Sequence, residues 1–286
     1  MTSEHANMSS GKQPQSQFWL LPREHGATAM LMIPIVCAAI LARRWCWSEL
    51  APLTAAFAAL AAKDPMVIMA RQRFVWKQQH PESLAAARWL AGWGAILILS
   101  GLVLLKTWPV KAVVAMGLGV ALFSALAIVV NVKNRQRSTL FQIASAAALT
   151  SSSLATSISA TGGIAAWSWV LWLLMALQAT AGILVVHARL DARIALRQAV
   201  PVPERSAGFR RAAQISLIAL ACVAATTAVL GHGWMAIALL TPVIGYGYDL
   251  SGQRNAENLQ LSLKKVGQRA LALSSLFAVL LIVGFW

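Results

Sequence analysis

The residues best suited to chemistry in this chain are few, and they stand beside long apolar runs. Arg23, Glu24 and His25 come directly before "GATAMLMIPIVCAAIL". Asp64 lies in "ALAAKDPMVIMARQR", and His187 and Asp191 lie in "HARLDAR". His187 and Asp191 are spaced i, i+4, which puts them on one face of a helix. A histidine and a carboxylate so placed can hold a divalent cation or relay a proton. A histidine simply hydrogen-bonded to a helix-end carboxylate fits the same spacing. Arg189 and Arg193 project from neighbouring faces. Asp64 has two readings: a carboxylate lining a polar cavity, or one paired with an arginine of another helix. Either would offset the several kcal/mol that a bare carboxylate costs in a bilayer. For the trio, Gly26 lets the backbone turn closely, and the start of the following helix can receive an anion. Singly, Arg23 suits a lipid phosphate, Glu24 complements the helix dipole, and His25 is interfacial.

The chain has nine acidic residues, so each can be weighed. Glu4, Glu82, Glu204 and Glu257 sit in polar segments, and Glu49 sits at an outer rim. Asp249, with Asn131, Asn134, Arg135 and Arg254, reads as helix-end capping.

The elements that must position these groups are membrane helices. Charged residues make up 12% of the chain and hydrophobic ones 58%, against about 25% charged in an average soluble domain. Mean hydropathy is +0.65, which places the chain in the membrane class. The net charge of +15 comes from short basic clusters between apolar stretches. No basic domain forms a nucleic-acid face, so the expected partners are a bilayer with anionic lipids and phosphate-bearing ligands. Cys37, Cys46 and Cys222 are scattered and imply neither a disulfide framework nor a zinc site.

A bilayer core of ~30 Å takes about 20 helical residues to cross. The apolar runs give nine spans: 27–42, 50–70, 89–105, 110–131, 139–160, 164–187, 212–231, 233–249 and 270–286. The fold class is therefore all-α, a polytopic transmembrane helix bundle. Residues 1–20 read as a disordered cytoplasmic tail and 21–286 as a single transmembrane domain. The Gly231–Gly233 link predicts a tight antiparallel hairpin. With the N-terminus inside, only Arg43, Arg44, Lys106 and Lys111 of the 24 basic residues fall on the outer side. That asymmetry orients the chain in a plasma (inner) membrane, C-terminus outside. Trp47, Trp108, Trp167, Trp234 and Trp286 stand near the outer ends, as an aromatic belt would. Spans 2 and 6, and 4 and 8, end in similar basic segments, consistent with two parallel four-helix halves plus a ninth helix.

"PREHGATAML" resembles the opening of the YwiC-like integral membrane proteins, which carry a Pro-x-x-His-Gly-Ala pattern there. The matching residues are Pro22, His25, Gly26 and Ala27. "SLKKVGQRALALSSLFAVLLIVGF" also looks like that family's last stretch. More distantly, nine spans in paired halves look like the UbiA superfamily of intramembrane prenyltransferases. That resemblance implies a cavity facing the cytoplasm, with Asp-rich motifs after spans 2 and 6 holding Mg²⁺ against a prenyl diphosphate. Here span 2 offers Asp64 alone and span 6 Asp191 alone, without a second acid at i+4 of either. The arginines suit direct phosphate binding. The scaffold and the position of a cavity carry over, and no metal or other cofactor is assigned.

The expected function is therefore binding of an isoprenoid or lipid-like anionic ligand at a cytoplasm-facing cavity whose rim holds Arg23, Glu24, His25, Asp64, His187, Arg189, Asp191 and Arg193. Whether the ligand is turned over stays open. A small-solute or ion transporter, and a non-catalytic assembly partner, are the alternatives. No P-loop, nucleophile elbow or metal-finger motif is present.

Overall fold

The computed structural model describes residues 25–43, 47–77, 82–135, 138–198 and 201–286. The N-terminal tail, Arg23 and Glu24 lie outside the described residues, as does the side chain of His25. The described chain is all helical: α1 (His25–Ala42), α2 (Leu50–Arg71), α3 (Ser83–Thr107), α4 (Val110–Val132), α5 (Thr139–Thr150), α6 (Ser152–Thr161), α7 (Ala166–Arg197), α8 (Val202–Val229), α9 (Gly233–Gly252), a single turn α10 (Ala256–Leu259), and α11 (Leu263–Phe285). Helix is the form that bilayer-spanning segments of this composition must take, because each backbone group then finds its partner within the segment. Among the described residues, six stretches are long and apolar enough to cross a membrane: those containing α2, α3, α4, α7, α8 and α11. Helix α1, the α5–α6 pair and α9 occupy the remaining places in the expected order.

Two differences from the expected spans have local causes. The fifth span is broken at Ser151 because "TSSS" at 150–153 turns its hydroxyls onto nearby carbonyls. Thr150 donates to Ala146 at 2.9 Å, Ser151 to Ala148 at 2.7 Å and Ser153 to Thr150 at 3.0 Å, a habit that bends or ends helices. Ser152 instead donates across to the carbonyl of Leu31 at 2.9 Å and ties α6 to α1. Helices α7, α8 and α11 also run well past their apolar stretches. The extension of α7, "ARLDARIALR", is rich in Ala, Leu and Arg, which favour helix without needing a lipid environment.

The helix ends show why the chain turns where it does. Helix α8 closes with Gly231 at φ 84°, the His232 N–H reaching Thr227 O at 2.8 Å and the Gly231 N–H reaching Ala228 O at 3.0 Å. This is a Schellman cap, and it makes the expected tight hairpin into α9. Helix α4 ends the same way, with Asn134 at φ 55° in the glycine's place. The guanidinium of Arg71 then donates to Asn131 O at 3.0 Å and Asn134 Oδ1 at 3.1 Å, tying α2 to the end of α4.

Packing gathers α1, α5, α7, α8, α9 and α11 around one buried apolar core, and α2, α3, α4 and α6 around a smaller one. Trp108 does not join an aromatic belt: it is 5% exposed and donates from its indole to Ser159 Oγ at 2.8 Å. Trp47, Trp234 and Trp286 are exposed, and Arg43 lies over the Trp286 ring at 5.0 Å. Helices α9 and α11 approach so closely that a Cβ at Gly284 would lie 2.8 Å from the Met235 backbone nitrogen. Backbone cannot swing aside as a side chain can, so Gly284→Ala should force the two helices apart and cost about 1–3 kcal/mol. Gly117→Ala on α4 meets nothing within 4 Å and should leave stability unchanged or raise it. Thermal unfolding of the purified variants in one detergent checks both.

Candidate intramembrane cavity

Five helices, α1, α5, α7, α9 and α11, wall a cavity of about 620 Å³. Its wall is mostly apolar: Met30 and Ile33 of α1, Met175 and Ile183 of α7, and Leu271 and Phe277 of α11. The buried Pro34 sits inside α1 and removes one N–H there. Gly26, Lys264, Gly267 and Gln268 also line the cavity and are exposed, so they form its rim. That rim lies at the same end of the bundle as the basic extensions of α7 and α8. The Arg210 guanidinium donates there to Leu250 O of α9 at 3.3 Å, which ties the basic extension of α8 to that end of α9.

Inside, three helices distant in sequence meet at one amide. Gln178 Nε2 lies 2.9 Å from Tyr246 Oη and 2.9 Å from Ser274 Oγ. The hydroxyl of Tyr246 comes this close to α7 because residue 182 is glycine: a Cβ there would lie 2.7 Å from that oxygen. Tyr246 also borders a second, much smaller void of about 10 Å³, shared with Arg189, Asp249 and Gln253. Arg189 is 5% exposed, and one guanidinium nitrogen donates to the carbonyl of Asn258, just C-terminal of the middle of α10. Its Nε is buried without a hydrogen-bond partner. A void of this size, mostly apolar in its lining, is just large enough for one water. Gln253 closes the far side by donating to Val185 O at 3.1 Å.

The residues singled out from the sequence are partly gathered here. His187 faces α5 and α8, with Nε2 2.9 Å from Gln142 Oε1, a cavity-wall atom, and its ring stacked on Phe209 at 5.0 Å. Its ring nitrogen therefore reaches across to α5 rather than along α7. Arg189 is two residues on, about 200° round the helix, and faces α9 and α10 instead. Asp191 and Arg193 follow one turn later and are half-buried; neither lines the cavity. Asp64 is half-buried on α2, which packs against α3, α4 and α6 and contributes nothing to the wall. Asp64 and Asp191 thus stand on helices that pack in different groups. Among the described residues no three His, Cys, Asp or Glu side chains come together in a way that would hold a metal ion. The side chains of the described residues do not fit a Mg²⁺–diphosphate centre.

Gln142, Gln178, Tyr246, Ser274 and Lys264 were not singled out from the sequence. Gln178 carried the available signal: an uncharged amide in the middle of the apolar "WLLMALQATAGILVV", where a polar group has to find a partner or a purpose. Asp249, read there as a cap, instead shares the small void with Arg189 and has Arg189 and Arg269 as electrostatic neighbours.

This bundle and its internal cavity define a multi-pass helical membrane protein. Residues 21–157 match the model of the YwiC-like protein family, so the likeness carried by Pro22, His25, Gly26 and Ala27 is shown over that segment. The match ends inside α6, leaving α7, α9 and α11, and the C-terminal stretch thought to resemble the family, outside it. No curated protein and no solved structure matches the chain.

Removing the Arg189 guanidinium leaves the Asn258 carbonyl without its charged donor. Arg189→Leu should lower stability by about 1.5–3 kcal/mol and speed amide hydrogen exchange through residues 254–260. Hydrogen exchange with mass spectrometry reads both effects.

Proposed function

We propose that this protein binds an isoprenoid or another lipid-like anion in the cavity, taking it up from the cytoplasmic face of the membrane. The observation that carries the reading is the cavity itself. Its volume of about 620 Å³ lies within the roughly 300–1,000 Å³ of small-molecule sites, and its wall is apolar with a few converging polar groups. Lys264 is the charged side chain among the residues that line it, and it stands at the rim. An apolar chain inside and an anion at the mouth complement that distribution. The basic extensions around the rim raise the local concentration of anions. The isoprenoid part of the reading rests on the resemblance to the UbiA superfamily, for which the comparisons supply no match.

Orientation follows from the same charges. Single cysteines at Lys77 and Arg254, in a background lacking Cys37, Cys46 and Cys222, should react with an impermeant maleimide only from the cytoplasmic side, and one at Trp286 only from outside. Labelling of positions 77 and 254 from opposite sides would end the orientation and the rim with it.

Binding is tested with the full chain in nanodiscs, using stearate and farnesyl phosphate as probes. Wild type should bind one or both. Ile33→Trp, which fills the cavity, should abolish binding. Lys264→Glu should weaken it roughly tenfold, the loss of about 1.4 kcal/mol at the mouth. Equal binding by wild type and Ile33→Trp would place the probes on the outer surface and overturn the reading.

A further inference from the structure

The polar group inside the cavity is built to meet something that a plain hydrocarbon chain lacks. Gln178 brings two N–H groups, and Tyr246 and Ser274 bring one O–H each. The two contacts of 2.9 Å use two of these four hydrogens, and the hydrogen bond between the hydroxyls of Tyr246 and Ser274 uses a third. One remains whichever way round the amide is turned, because the internal bonds consume the same number either way. The trio therefore holds one spare donor. Around it the wall is apolar, with Met175, Ala179 and Phe277 beside the three polar residues. Leaving a donor unmet in such surroundings costs free energy.

The charge pattern selects the kind of oxygen that meets them. Lys264 and Ser274 are ten residues apart on α11, a rise of about 15 Å. The trio thus stands well inside the rim, away from Lys264. An anion at that depth would be desolvated without a paired cation, whereas a neutral carbonyl oxygen accepts the spare donor at little cost.

We infer that Gln178, Tyr246 and Ser274 form a receptor for a neutral carbonyl oxygen, so that the ligand of this cavity is an amphiphile carrying an anionic end and, about 15 Å further along its chain, a carbonyl group. This rests on the proposed function, and it names the ligand's chemistry more closely. A carbonyl of this kind occurs in oxidised acyl chains and in ring-bearing isoprenoids; the shared feature is the acceptor oxygen.

The test compares two probes of equal length on the full chain in nanodiscs: stearate, and stearate bearing a keto group two-thirds of the way along the chain. Wild type should prefer the keto form roughly tenfold, about 1.4 kcal/mol. Tyr246→Phe combined with Ser274→Ala should abolish that preference, so that the variant binds stearate and its keto form equally. A prenylated benzoquinone, which has ring carbonyls and no anion, separates the two sources: binding that depends on Tyr246 and Ser274 but not on Lys264 assigns the receptor to a ring-bearing isoprenoid. Equal affinity of wild type for stearate and its keto form, with no binding of the quinone, would overturn the carbonyl receptor and leave the proposed function standing. A preference retained in the double variant would overturn it as well, and needs no assumption about the variant's stability. Failure of every probe to bind would remove both readings.

Discussion

Everything in this molecule depends on the rule that lipid offers no hydrogen bonds. A backbone carbonyl in the bilayer core must be met from within the protein, and the hydrophobic effect that joins helices in water is absent between segments already in hydrocarbon. The bundle answers with side chains that cross from one helix to another's carbonyl: Ser152 to Leu31, Trp172 to Ala147 and Gln253 to Val185. Close backbone approach at Gly284 supplies dispersion contacts that larger residues would prevent. The same rule explains the cavity's inner wall. A glutamine can sit in the middle of α7 because Tyr246 and Ser274 reach it from two other helices.

Much of the architecture was legible in the sequence because it follows from one-dimensional quantities. Runs of apolar residues set the helices, and the short Gly231–Gly233 link set the hairpin between α8 and α9. The effects of serine and threonine were less legible. The break at Ser151 arises from four consecutive hydroxyl residues, each with several carbonyls to choose from, and the choice depends on what α1 presents at Leu31. The lengths of α7 and α8 also exceeded the apolar runs, because helix propensity does not stop where lipophilicity does.

The site was less legible, for a related reason. Attention to charge picks out Asp64, His187 and Asp191, since charges are the rarest and most expensive groups in lipid. Which face of the bundle each occupies is a matter of packing. Helix α2 packs with α3, α4 and α6, so Asp64 is kept away from the cavity wall. His187 and Arg189 are near in sequence yet look in almost opposite directions, one toward Gln142 and the other toward Asn258. The groups that do line the cavity are mostly neutral, and a single neutral polar residue on one helix acquires meaning only when its partners on other helices are known.

The contact between α1 and α11 joins the earliest of these helices to the latest to be synthesised. The chamber therefore has no complete wall while the chain is being threaded into the membrane. Until α11 arrives, the inner face of α1 is open to acyl chains, and the amide of Gln178 lacks one of its two hydroxyl neighbours. Closure of the ring is thus a late event in biogenesis, completed only when the last helix docks.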